Sequence, residues 1–262
     1  MIVKSHGLVL RIRPYSRTSQ ITIWLTPDRG RIATLAKGAY RPKYASRGEC
    51  DLFYTCEMLY YPREAPRLNI LKECSALNLR TVFRTDPEAC ACASYLCDLT
   101  ARLCPPDAPH PDLFDLLGTT LDALPTARFL VILLFWFELR LLTLMGLAPR
   151  LASCPLCGNP VLSHSSPAHF SAAEGGLICA DCAEGKIDPR HHTLTPDVLA
   201  VLHDWQAAPT PQQALRTLCS ARQQSAIQSA LGEFIHYHLD LMPLSRTIAL
   251  NLLSGGRHPV IN

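Results

Sequence analysis

The sequence predicts an α+β, multidomain protein. A five-stranded barrel comes first, then an α-helical domain with a four-cysteine zinc module inserted in it. Three observations carry this. Five alternating apolar runs, separated by turns, fill roughly the first 80 residues. Capped helical patterns follow from Asp86 onward. Two C-x-x-C pairs sit in a stretch rich in Cys, Gly, Pro and Ser. The expected boundaries are 1–80 for the barrel, 81–150 and 191–262 for the helical domain, and 151–190 for the module.

Within the barrel, Leu8, Leu10 and Ile12 alternate with Val9, Arg11 and Arg13, a half-buried strand with a basic outer face. Ile21, Ile23 and Leu25 alternate with Thr22, Trp24 and Thr26. The turn Pro27-Asp28-Arg29-Gly30 then returns the chain as a strand over 31–36. Runs at 52–60 and 68–79 supply the last two strands.

Asp86-Pro87-Glu88 opens the first helix, with an N-cap, a proline in the first turn and an acid behind it. Leu113, Leu116, Leu117, Leu121 and Leu124 mark a second. The third, capped by Thr126 and ended by Gly146, is apolar on nearly every side and is expected at the centre of a three-helix bundle. Glu138 and Arg140 interrupt its apolar run, which is too short to span a bilayer. The start, MIVKSHGLVLRIR, lacks the long apolar core of a signal peptide, so no membrane association and a cytoplasmic location are expected. Helices resume at Thr195-Pro196-Asp197 and from about Gln223 to Met242, the latter burying Ile227, Leu231, Phe234, Ile235, Leu239 and Leu241.

Twelve cysteines without an export signal argue against a disulfide framework. Eight read as small core residues. Cys154, Cys157, Cys179 and Cys182 read differently: each pair makes a knuckle, and two knuckles complete a tetrahedral site for one structural Zn2+. The ion would hold a segment with too few large apolar residues to fold on burial alone. Four cysteines leave no open position for a catalytic metal. His164 and His169, between the knuckles, read as surface residues rather than as a less economical substituted ligand set, and His191, His192, His236 and His238 as ordinary positions rather than ligands.

Charge is unevenly placed. Residues 1–80 hold 14 Lys plus Arg against 6 Asp plus Glu, and the rest holds 11 against 16. No acid occurs between Arg29 and Gly48, where Arg29, Arg31, Lys37, Arg41, Lys43 and Arg47 lie. Tyr40 and Tyr44 interleave with these cations, and Tyr15 and Trp24 lie near by. Cations neutralise phosphates and aromatic faces stack unpaired bases, so the barrel is expected to bind nucleic acid, preferring single strands. Arg11, Arg13, Tyr15 and Tyr40 complete the expected site beside the six cations.

The motifs Gly7-Leu8-Val9-Leu10, Pro14-Tyr15, Ile21-Thr22-Ile23, Leu25-Thr26, Gly30 and Ala36-Lys37-Gly38-Ala39 resemble the N-terminal barrel of the bacterial DNA repair protein RecO family. Gly146-Leu147-Ala148-Pro149, the Cys154–Gly158 knuckle, Tyr237-His238-Leu239 and Ser245-Arg246 extend the resemblance over most of the chain. It implies an OB-fold, a helical domain and a zinc module in a bacterial, cytoplasmic, nucleoid-associated protein. It also implies binding to single- and double-stranded DNA, annealing of complementary strands, and work with RecR to help load RecA onto DNA coated by single-strand-binding protein. Such proteins are not enzymes. One departure stands in the first loop: Arg17 occupies a position that is often acidic in the family.

Two other readings compete. A zinc-containing nucleic-acid-processing enzyme would show metal-dependent nicking, yet HExxH, GxxxxGK[ST] and GxSxG are all missing. A zinc-module adaptor would keep a protein partner while failing to bind free nucleic acid.

Overall fold

The computed structural model describes residues 1–41, 44, 46, 48–64, 67–161, 168–183, 192–240 and 243–255. It divides into two compact units, Met1–Thr126 with Thr247–Asn262, and Ala127–Arg246.

The first unit begins with β1 (Val3–Pro14), β2 (Gln20–Thr26), β3 (Gly30–Ala36), β4 (Thr55–Tyr61) and β5 (Asn69–Asn78). They close into a barrel of order β1-β2-β3-β5-β4, with β1 pairing β4 and only β3–β5 parallel. This is the five-stranded OB arrangement that the alternation and turns predict. Closure leaves no free sheet edge, which is how so short a sheet stays stable.

The barrel interior is built from Val9, Trp24, Ile32, Tyr54, Met58, Tyr60 and Leu71. Two expectations change here. Val9, assigned to the outer face of β1, is fully buried in this core. Leu8 and Leu10 are buried as well, so β1 is covered on both faces along this stretch, and a register shift between Val9 and Arg11 breaks the simple alternation. Trp24, counted among the aromatics beside the basic run, is also fully buried, with its indole N–H donating to Thr34 Oγ1 at 2.8 Å.

After a short 3-10 turn at Thr81–Arg84 come α1 (Pro87–Leu103) and α2 (Pro111–Ala123). The predicted cap is in place: Asp86 Oδ1 accepts from the Ala89 N–H at 2.9 Å. The α1–α2 connection runs against the β2–β3 turn. Arg31 N–H donates to Pro105 O at 3.4 Å, and Asp107 N–H donates to Arg31 O at 3.3 Å. Gly30 makes this possible. Its φ is +58°, and a Cβ there would lie 2.0 Å from Ala108 O.

In the second unit, α3 (Leu130–Leu144) is buried from Ile132 to Leu139. Its N-cap is Phe129, with no side-chain bond; Thr126 lies in a 3-10 turn instead. The three helices expected as one bundle fall in different units. α1 and α2 group with the barrel, and α3 packs against α5 (Pro196–Ala207), α6 (Pro211–Ala214) and α7 (Ala221–Leu239). Trp136 Nε1 donates to Ala208 O at 2.9 Å. A buried ion pair crosses this core: Arg246 Nε donates to Glu138 Oε1 at 2.8 Å and Nη2 to Glu138 Oε2 at 3.3 Å. Glu138, read from sequence as an interruption of an apolar run, is therefore matched. The α7 start carries a reciprocal cap: Ser220 Oγ accepts from Gln223 N–H, and the Gln223 side chain accepts from Ser220 N–H. Ile227, Leu231, Phe234 and Ile235 are buried as expected, Leu239 is half-buried, and Leu241 lies outside the described residues.

The cysteine-rich segment contains regular structure that its composition hid. β6 (Ala168–Ser171), β7 (Gly176–Ile178) and β8 (His192–Leu194) form a sheet of order β7-β6-β8, and α4 (Ala180–Ala183) follows β7. Phe170 on this sheet meets Phe234 of α7 with ring centroids 5.8 Å apart. His192 Nε2 lies 2.6 Å from Glu233 Oε2. The last helix, α8 (Leu244–Leu253), crosses the boundary between the two units. Among the described residues no helix is long and apolar enough to cross a membrane.

Candidate nucleic-acid interface and metal centre

The four cysteine ligand atoms all lie within 4.8 Å of one another, with Cys157 Sγ and Cys179 Sγ 3.6 Å apart. Two local structures place them. The first knuckle is a tight turn: Gly158 N–H donates to Cys154 O at 2.9 Å, and Cys154 N–H donates to Asn159 O at 2.8 Å. Gly158 takes φ +79°, which the turn requires. The second knuckle is the entry to α4, where Ala183 N–H donates to Cys179 O at 3.0 Å. Among the described residues, Cys154, Ile178 and Ala183 form a small buried cluster behind the site, with Val161, Cys179 and Cys182 partly buried against it and Cys157 exposed. Phe170 and Leu177 on the adjoining strands are buried as well.

The thiols oppose one another when no cation is bound. Burial works against ionising Cys154, but the backbone N–H groups of Cys179, Cys157 and Leu156 outweigh it and hold that thiol down at about 6. Cys182 is pushed up to about 12, chiefly by hydrogen bonding with Cys179 and Cys157. A bound cation relieves this conflict, because each thiolate then faces positive charge. Four convergent soft thiolates fit a tetrahedral metal ion. His169 is half-buried on β6 and is not among the converging ligand atoms; among the described residues its Nδ1 has no hydrogen-bond partner. His164 lies outside the described residues. The remaining described cysteines are free thiols, and burial pushes Cys92 and Cys97 up to about 12.

The basic residues, contiguous in sequence, separate in space. Tyr15 and Arg17 sit in the β1–β2 loop, and Lys37, Tyr40 and Arg41 in the turn after β3. These two loops are stitched together: Tyr40 N–H donates to Thr18 O at 3.1 Å, and Gly38 N–H donates to Ser19 Oγ at 3.2 Å. Arg13, opposite Ile21 at the end of β1, joins the same end of the barrel. Arg13, Arg17, Lys37 and Arg41 are exposed and, among the described residues, form no ion pair. Tyr15 is 59% exposed and Tyr40 51%. Tyr44 is different: it packs against the barrel core, and burial pushes its hydroxyl up to about 12. Lys43 and Arg47 lie outside the described residues.

Arg29 and Arg31 occupy the other end, at the β2–β3 turn. The seven residues of β2 separate them from the first group by about 20 Å. Arg29 is exposed beside Asp28, Glu64 and Asp107. Arg31 is half-buried and donates from Nε to Cys104 O at 3.0 Å. Arg11 is half-buried in an ion pair with Asp98 on α1. Two cations passed over in the sequence, Arg63 and Arg67 of the β4–β5 connection, line a cleft with Arg31. They lie outside the acid-free run and have Glu64 between them, so charge clustering along the chain gave no signal. The parallel β3–β5 pairing brings them in.

Comparison with known proteins agrees with this architecture. Residues 1–80 match the family model described as Recombination protein O N terminal, and residues 84–247 match Recombination protein O C terminal. A protein named DNA repair protein RecO from Anaeromyxobacter sp. (strain K) is 33% identical over 237 residues, covering 90% of this chain and 91% of its own. One of the same name from Desulforudis audaxviator (strain MP104C) is 29% identical over 245 residues, covering 92% and 94%. A third, from Alkaliphilus metalliredigens (strain QYMF), is 30% identical over 243 residues, covering 92% and 95%. With both family models spanning nearly the whole chain, the protein belongs to the recombination protein O family of DNA repair proteins.

Proposed function

We propose that the protein is a recombination mediator that binds single- and double-stranded DNA on its barrel and anneals complementary strands. With RecR, it assists loading of RecA onto DNA coated by single-strand-binding protein. The observation that carries the DNA part is the end of the barrel where Arg13, Lys37 and Arg41 stand exposed beside Tyr15 and Tyr40 and, among the described residues, without an ion pair. Unpaired cations on a rigid frame cost nothing to free from an acid before they meet phosphate. The exposed phenol faces supply stacking surfaces that accept any base. Arg17 adds a fourth exposed cation in the β1–β2 loop.

Annealing asks for no bond making. Two phosphate backbones must be screened from each other while bases stay exposed long enough to pair. Arg and Lys provide the screening. Arg11, held by Asp98, positions β1 against α1 more than it contacts DNA. The RecR and single-strand-binding-protein partnerships rest on family membership alone. The metal is Zn2+, on the chemistry of four thiolates, and it braces the 151–190 module within the helical domain.

The test is strand annealing. Two complementary oligonucleotides are mixed, and duplex formation is followed by quenching of a fluorophore pair. Wild-type protein should accelerate pairing, and Lys37→Ala/Arg41→Ala should lose at least tenfold of that acceleration. Equal acceleration by the variant would remove this end of the barrel from the mechanism.

A further inference from the structure

We infer that the cleft between β3 and the β4–β5 connection is a second phosphate-binding site, at the far end of the β2–β3 face from Lys37 and Arg41. This rests on the nucleic-acid reading above and adds Arg63 and Arg67, which that reading does not use. The cleft has a volume of about 190 Å³ and is lined by Arg31, Arg63, Arg67, Asn69 and Asp107 among others. Three arginines and a single acidic residue line it. The adjoining cleft, over the hairpin turn, sets Arg29 and Arg63 against Asp28, Glu64 and Asp107. An anion therefore favours the first cleft over the second.

The site is held from several sides. Arg31 Nε is fixed by Cys104 O at 3.0 Å, which orients the guanidinium plane and leaves its terminal nitrogens available. Asn69 holds both ends of the groove's wall: its Nδ2 donates to Ala33 O at 3.1 Å, and its Oδ1 accepts from Arg63 N–H at 2.9 Å. Arg67 N–H donates to Glu64 O at 3.0 Å, turning the connection back toward β3. Arg63 and Arg67 are exposed, and no side-chain hydrogen bond or ion pair occupies either one among the described residues. Arginine forks match phosphate oxygens two at a time, so a site built of three arginines suits a phosphodiester better than a single carboxylate. Between the two cation groups, Ile23 pairs with Ala33 and Ile21 with Leu35 on the outer face. Half-buried Ile21, Ile23 and Ala33 form an apolar floor on which bases can lie.

The experiment is a salt titration of fluorescent single-stranded oligonucleotide with the full chain. Arg63→Ala/Arg67→Ala and Arg63→Lys/Arg67→Lys are compared with wild type, with thermal melting as a control for folding. Two lost phosphate contacts should reduce the log–log salt slope by about 1.4, and the lysine pair should restore it. An unchanged slope in Arg63→Ala/Arg67→Ala, beside a reduced one in Lys37→Ala/Arg41→Ala, would overturn this site and leave the DNA function standing. No binding by wild type would overturn both. Unchanged DNA binding with loss of binding to a poly-glutamate peptide would assign the cleft to an acidic protein segment and also overturn the proposal.

Discussion

The barrel and the four-cysteine module are held together by opposite means. In the barrel, Trp24, Met58 and Tyr60 are buried inside a closed sheet whose backbone groups are paired around the ring. Its stability comes from burial, so its surface cations can remain unpaired. In the module, among the described residues, three short strands and one turn of helix bury Phe170 and Leu177 and a small cluster of Cys154, Ile178 and Ala183, where four thiols converge. There the converging thiols reinforce a small apolar core. The lesson is where to look for function: in a region that does not need its charged side chains for folding. Arg13, Lys37 and Arg41 meet that condition, and the cysteines do not.

Metal removal should give the largest effect. Structural zinc sites in small modules are worth on the order of 10 kcal/mol. A strong chelator should therefore unfold the module while the barrel and its helices still melt cooperatively. Alkylation at pH 8, read by mass spectrometry, should then label Cys154, Cys157, Cys179 and Cys182. Cys92 and Cys97, with thiols pushed up to about 12 by burial, should remain unlabelled. Labelling of Cys92 and Cys97 together with the four would mean that the two regions unfold as one, and the contrast would collapse.

The helices beside the module supply the next test. Arg246→Ala leaves Glu138 buried without its ion pair and should cost about 3–5 kcal/mol in denaturant unfolding. Metal affinity should be unchanged, because the helices have a core of their own. Gly30→Ala probes the first unit. A positive φ and the approach of Ala108 O should together cost about 2 kcal/mol and loosen the α1–α2 connection. Asp86→Ala removes one cap and should cost about 1 kcal/mol, seen as a small drop in melting temperature.

Legibility in the sequence followed the range of the interaction. The Pro27–Gly30 turn, the Asp86 cap and the paired C-x-x-C motifs are local, and each is found where its residues predicted. Long-range placements were harder. Alternation placed Val9 on an outer face, and Trp24 counted among the aromatics near the basic run, but barrel closure buries both. The strands Ala168–Ser171 and Gly176–Ile178 were invisible because they are short. β7 also leans on Arg150, whose carbonyl accepts from Leu177 N–H at 2.8 Å. The α7 cap was local and readable, as Ser220-x-x-Gln223, and was passed over. The basic run was legible as charge, but it does not form one patch. β2 and β3 carry Arg29 and Arg31 to one end of the barrel and Lys37 and Arg41 to the other, and the β3–β5 pairing adds Arg63 and Arg67.

The central claim is that the unpaired cations at the Lys37 end of the barrel contact phosphate. The most direct measurement is equilibrium binding of a single-stranded oligonucleotide at several salt concentrations, comparing wild type with Arg13→Ala/Lys37→Ala/Arg41→Ala. If each cation meets one phosphate, the log–log slope should fall in magnitude by about 2, with affinity lost most at low salt. A variant that binds with the wild-type slope and affinity would contradict the account, and the site would have to be sought on another surface of the protein.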